Sequence, residues 1–192
     1  MKKIFAILVA ILAFSFAGYA QLLTANTYTR KARSHNVWFD ISAGSLTTSV
    51  IGSDTKVKGN SLGLSLRWTK PFGDIFCWDF FDLGTNMTFP TSWSENDPDP
   101  CFYLMTGPRV RYEVVENLLH VYAAADAGVG AYFLQNYDLE EPKVGLITEL
   151  SAGVMLKKRF HVGAYLRNYP TYKEGDSGIK FSSVGAKLGF SF

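Results

Sequence analysis

The chain closes on VGAKLGFSF, residues 184–192. In an extended strand successive side chains point to opposite faces. Val184, Ala186, Leu188, Phe190 and Phe192 therefore share one face, and Ser183, Gly185, Lys187, Gly189 and Ser191 share the other. The first face is apolar and ends in an aromatic residue; the second is small and polar, with a lysine in its middle. What that lysine faces decides the fold.

The same division recurs upstream. Phe160, Val162, Ala164 and Leu166 alternate with His161, Gly163, Tyr165 and Arg167, and Leu146 to Leu156 alternate with Ile147, Glu149, Ser151 and Gly153. Leu119 to Phe133 alternate with His120, Tyr122, Asp126, Gly128 and Gly130. Four further segments begin near Val37, Ser61, Phe81 and Phe102, so the pattern predicts eight strands. Short links are expected at 70–74, 115–117 and 157–159, and longer ones at 49–59, 90–101, 135–143 and 168–180, where Pro, Asn, Asp and Glu gather. Alternating short and long connections suit a transmembrane barrel and place both termini on the short-turn side.

A soluble ligand-carrying barrel would show the same period with its apolar face inward. The polar face argues against that: each strand offers about one charge among Gly, Ser, Ala and Tyr, which suits a lumen just wide enough to be filled by side chains. With lipid outside, Lys187 lies about 12 Å from the chain end in an apolar band about 25 Å tall, where a lipid-facing lysine costs about 2–4 kcal/mol. It must therefore point inward. The same reasoning sends Asp40, Asp82, Arg109, Asp126, Glu149 and Arg167 into the lumen, with Arg67 and Arg111 nearer the short-turn end. Four acids then face five bases, a set able to satisfy itself as a structural ion-pair network closing the barrel. The fold class is all-β: an eight-stranded antiparallel up-and-down transmembrane β-barrel with a polar, side-chain-filled lumen.

Residues 1–20, MKKIFAILVAILAFSFAGYA, combine two lysines, an apolar run too short to span a bilayer and small residues at Gly18 and Ala20, the pattern of a cleaved secretory signal. Residues 21–34 carry Arg30, Lys31 and Arg33 without a strand pattern and read as a periplasmic tail; 35–192 is the barrel. With Lys2 and Lys3 set aside, seventeen Lys and Arg balance seventeen Asp and Glu, and no nucleic-acid partner is expected. Trp68, Tyr112, Phe160 and Phe192 at the short-turn level, with Phe89, Phe102 and Phe133 at the loop level, form a double aromatic girdle. One stretch conflicts with the alternation: FCWDFF, residues 76–81, turns Asp79 toward lipid if counted down from Phe81. A β-bulge near Phe80, or an interfacial depth, would each resolve it.

An eight-stranded pattern behind a signal peptide, ending in a terminal aromatic, resembles the small outer-membrane barrels of the OmpA and OmpX type over about residues 35–192. In that resemblance Val184, Ala186, Leu188, Phe190 and Phe192 are the signal read by the outer-membrane insertion machinery. The chain stops at Phe192, so the peptidoglycan-binding domain of full-length OmpA relatives is expected to be absent. The location implied is the cell outer membrane, with periplasmic termini and extracellular long loops. The partners implied are outer-membrane lipid, lipopolysaccharide, the insertion machinery and a protein in the same membrane.

Barrels of this size include lipid A deacylases and palmitoyltransferases, which need a histidine beside a nucleophile. His35, His120 and His161 all fall at the starts of strands near the short-turn rim, away from where those enzymes work, and the closely spaced His and Ser pair of the deacylases is missing at His161. No metal ligand set, phosphate loop or other cofactor motif occurs. Asp97, Asp99, Glu140 and Glu141 read as solvated loop acids. Cys77 and Cys101 are expected at opposite ends of paired strands, too far apart for a disulfide. The expected role is non-enzymatic, structural or accessory, with a lipid-modifying enzyme and a narrow ion pore as alternatives.

Overall fold

The computed structural model describes residues 36–89, 98–116, 118–134, 142–174 and 177–191. The expected signal and tail, His35, Asp97, Glu140, Glu141 and Phe192 lie outside the described residues. The strands are β1 (Asn36–Ile51), β2 (Lys56–Pro71), β3 (Phe76–Phe89), β4 (Asp99–Val115), β5 (Leu119–Tyr132), β6 (Lys143–Leu156), β7 (Phe160–Asn168), β8 (Tyr172–Glu174) and β9 (Ser177–Ser191). Each long strand pairs antiparallel with the next, and β9 pairs with both β7 and β1, so eight strands close on themselves. β8 continues β7 along the same edge of β9, after residues 169–171, as a short hairpin with the start of β9.

Closure fixes the dimensions. Following paired neighbours from Trp38 through Arg67, Asp82, Met105 and Gly128 to Ile147, stepping across beside the Thr148–Asn168 pair to Tyr169, and then to Phe181 returns to β1 at Thr48. The ladder is thus sheared by ten residues, from 38 to 48. Eight strands with that shear tilt by about 40° and set a radius of about 8 Å, leaving room for side chains and little else.

The turn end carries links 72–75, 116–118 and 157–159. In the last, Lys157 and Lys158 take φ of 51° and 54°, the primed-turn conformation whose twist matches the flanking strands. At the loop end the strands run further than the alternation suggests. The expected loop 49–59 is only a four-residue link, 52–55, and the expected loop 168–180 contains β8 and the beginning of β9. These extensions mix Ser, Gly and Lys with single apolar residues such as Val57, Tyr172 and Ile179, too few on any one strand to set up an apolar alternation. Asp99, expected among solvated loop acids, begins β4 with its side chain buried.

Apolar side chains cover the outside of every strand of the ring: Leu146 is 68% exposed, Val129 59%, Val184 and Leu188 55% each. Water-soluble monomers seldom expose contiguous apolar area beyond a few hundred Å². The outer wall has the surface of a lipid-facing barrel, and Trp68 packs on it against Phe80 and Phe81, Phe102 against Phe133, and Phe160 against Phe190. Phe89 is half-buried at the loop end of β3, and Tyr112 is exposed at the turn end of β4.

The conflict at residues 76–81 resolves as a bulge. Trp68 pairs with Phe81 and Thr69 with Asp79, so Phe80 has no partner across the ladder. One extra residue turns Phe80 and Phe81 both outward, while Cys77, Asp79 and Asp82 all face the lumen, each buried. An interfacial Asp79 is thereby ruled out.

Candidate functional site

The lumen has two layers. Toward the turn end it is charged. Asp40 contacts Arg67, whose guanidinium also lies 3.5 Å from Asp82 and 3.8 Å from Asp79. Arg109 donates Nε and Nη2 to Asp79 at 3.0 and 2.7 Å, and Thr69 donates its hydroxyl to the same carboxylate at 2.6 Å. A second node is Glu149, which accepts from Arg167 Nε and Nη2 at 2.8 and 2.5 Å and contacts Lys187 Nζ. Arg167 lies 4.5 Å from the centre of the Tyr103 ring and 5.3 Å from that of Tyr165, and Arg109 lies 4.8 Å from that of Tyr122. Aromatic faces thus add their negative potential to that of the carboxylates around the same two guanidiniums.

Lys187 is 1% exposed and spends its charge on Glu149. The other lumen candidates divide. Asp40, Arg67, Asp82, Arg109, Glu149 and Arg167 sit in the two nodes. Asp126 is buried beside Glu149 in register, and neither of its oxygens has a hydrogen-bond partner among the described residues. Arg111 is half-buried at the turn-end mouth, lining a cleft of about 380 Å³ with Glu113, His120 and Lys158, outside both nodes. Arg67 stands at the centre of three carboxylates, Asp40, Asp79 and Asp82.

Two participants escape the sequence reading. Asp79 enters only through the bulge. His161, expected at the rim, is buried in the lumen, its Nε2 2.6 Å from Asp40 and its Nδ1 3.0 Å from the Tyr122 hydroxyl. Asp40 as a carboxylate can only accept, so Nε2 carries the proton and Nδ1 accepts from tyrosine. The ring also meets Trp38 edge to face at 5.1 Å. The tilt of β7 against β9 and β1 carries this histidine inward of the rim. His120 does stay at the mouth, buried, 3.4 Å from Glu113.

Room for His161 comes from Gly189: a Cβ there would land on His161 Nε2 and Asp40 Oδ1. Gly189→Ala is expected to separate that pair and cost about 1–3 kcal/mol, read as a lower urea midpoint for the folded band on a gel. A midpoint equal to wild type would show that the bond carries no weight.

Toward the loop end the lumen is apolar and aromatic. Leu46, Cys101, Tyr103, Met105, Tyr132, Leu134, Ile147, Tyr169 and Phe181 form one buried cluster, with Tyr172 and Ile179 against it. The polar lumen expected from the sequence therefore occupies only part of the barrel. Tyr132 and Thr88 share a hydroxyl contact within this upper layer.

The two thiols are free, buried and far apart, since Cys77 pairs with Arg109 and Cys101 with Asn86. Thiolate reactivity needs access. Neither is expected to react with a bulky maleimide in the folded protein, and both after boiling; mass spectrometry would reveal labelling of the folded form and so contradict the packing.

No protein-family model and no curated protein sequence matches the chain. Among solved structures it is similar to neisserial surface protein A, with a TM-score of 0.54, 13% identity, and coverage of 85% of this chain and 100% of that one. It is also similar to the outer membrane enzyme PagL, with a TM-score of 0.47, 14% identity, and coverage of 77% and 97%. A third similarity is to Ail of Yersinia pestis, with a TM-score of 0.40, 16% identity, and coverage of 82% and 100%. At these identities the likeness concerns the fold alone, and the first of them carries it. The architecture is that of the small eight-stranded outer-membrane β-barrels.

Proposed function

We propose that the protein is a closed, non-enzymatic outer-membrane barrel, with termini toward the periplasm and the loop end outside, whose role is structural or accessory. It acts by binding through its loop end and outer wall. The observation that supports this most is the doubly filled lumen, an ion-paired layer followed by a packed aromatic layer among the described residues. The His161 chain ends on Tyr122 and Asp40, both buried, which favours a positioning role for this histidine.

The reading is tested in the outer-membrane fraction. The expected result is a protein that resides there, migrates differently on gels with and without boiling, and is silent in planar bilayers. A protein recovered soluble from the periplasm, or steady unit conductance lost in an Arg109→Ala variant, would overturn it.

A further inference from the structure

The loop end is chemically lopsided. On β3, β4 and β5 the outward side chains near that end are Phe89, Phe102 and Phe133. On the neighbouring wing formed by β2, β1, β9 and β8 they are lysines. Lys56 pairs across Ser49 with Lys180, because Ser49 is the partner of both. Lys58 lies two residues below Lys56 on the same face, opposite Thr47. Lys173 pairs with Gly178, the partner of Ile51 on that same outward face, and a Cβ at Gly178 would meet the Lys173 stem. All four lysines are exposed, and none makes an ion pair among the described residues.

Between them the wing presents Thr47, Ser49, Ile51 and Ser182; Asp54 lies beyond it in the link 52–55, and Glu174 follows Lys173 at the end of β8. Four strands at about 4.8 Å spacing make this face about 14 Å wide. Its height is set by the strands themselves. Lys58 lies four residues past Leu62 on β2 and Lys180 four past Val184 on β9, the outward apolar residues beneath them. At about 3.3 Å per residue and a tilt of about 40°, that is about 10 Å above the apolar band. The polar layer of a bilayer is about 5–8 Å deep on each side, within reach of a lysine stem bending down.

We propose that this lysine wing is a docking surface for the phosphate groups of the lipid leaflet that the loop end meets. The ligand is a phosphorylated lipid headgroup, held on one side of the barrel by point charges over a hydroxyl-rich sheet. The inference rests on the outer-membrane reading above and deepens it, since it orients the barrel's contact with its lipid. Lysine suits the task as a compact charge on a flexible stem that follows a mobile phosphate. Asymmetry is the structural consequence: the barrel gathers phosphorylated lipid along β2, β1, β9 and β8 and meets acyl chains with aromatics on the opposite wall.

The test uses the full chain folded in zwitterionic micelles, titrated with diphosphorylated lipid A, with the same lipid after removal of its phosphates, and with inorganic phosphate. The variant combines Lys56→Ser, Lys58→Ser, Lys173→Ser and Lys180→Ser; a control combines Lys157→Asn and Lys158→Asn at the turn end. Each basic residue near an anionic surface contributes about fivefold, so the fourfold variant is expected to lose about six hundredfold in affinity at low salt, with the control unchanged. Equal binding by variant and wild type, or equal binding of the dephosphorylated lipid, would overturn the proposal. So would inorganic phosphate displacing the lipid at matched concentration, which would make the wing a free-phosphate site. The boiled and unboiled gel shift is run on every sample: its presence in wild type and variant ties a lost affinity to the lysines, and its absence in wild type would overturn the barrel reading and this one together.

Discussion

Glu149→Gln is expected to cost about 3–5 kcal/mol of folding free energy, because it strips the carboxylate from two buried cations at once. Arg167 is fully buried and Lys187 is 1% exposed, and Glu149 is the only carboxylate within ion-pair distance of either among the described residues. The amide that replaces it offers one acceptor where two charges need one each. Asp126 provides the contrast. It lies directly opposite Glu149 on β5 and makes no ion pair among the described residues, so the two acids repel across the ladder. Asp126→Asn removes that repulsion and no salt bridge, and is expected to leave stability equal or higher. Urea titration of the folded band for both variants measures the difference. A Glu149→Gln midpoint near wild type, or an Asp126→Asn midpoint as low as that of Glu149→Gln, would show that the network is not organised around Glu149.

Deletion of Phe80 is expected to be tolerated, whereas deletion of Leu83, three residues away, abolishes folding. Phe80 is the unpaired residue of the bulge. Removing it makes Asp79, Phe81 and Asp82 alternate regularly, in, out and in, so that no side chain changes face. The cost is the loss of its contact with Trp68, 5.0 Å between ring centres, and some local twist. Leu83 lies in a regular stretch of ladder between Asp82 and Gly84. Its removal shifts the pairing by one residue and sends either Asp82 and Asp79, or Met87 and Phe89, to the wrong face. A charge facing lipid near the midplane costs about 2–4 kcal/mol, and two strands' pairings would be lost with it. The boiled and unboiled gel shift decides: loss of the folded band on deleting Phe80, or its survival on deleting Leu83, would contradict the register.

Deletion of Phe80 bears on how much could be read beforehand. FCWDFF shows in the sequence that either strict alternation fails or Asp79 lies at the interface, and the ladder alone chooses the bulge. It does not show where the extra residue is absorbed, because Phe80 and Phe81 are chemically equal and only the partners Trp68 and Thr69 on β2 choose between them. The Lys173 and Lys180 hairpin was illegible for the opposite reason: it contains little apolar side chain to alternate, and its pairing is backbone to backbone.

By itself the sequence determined the closed ring of eight strands, the inward direction of Lys187 and of the other charges on its regular strands, and the free state of the two thiols. Those follow from a period of two and from the cost of a charge in hydrocarbon, both of which act residue by residue. The tertiary structure alone decided which charges meet. Shear and tilt bring Arg67 from β2 to Asp40, Asp79 and Asp82 on β1 and β3, and carry His161 from the edge of β7 onto Asp40. They also stack tyrosines and aliphatics from distant strands into an upper plug. Which side chains fill one narrow lumen depends on where eight tilted strands cross the same height, and no single strand contains that information.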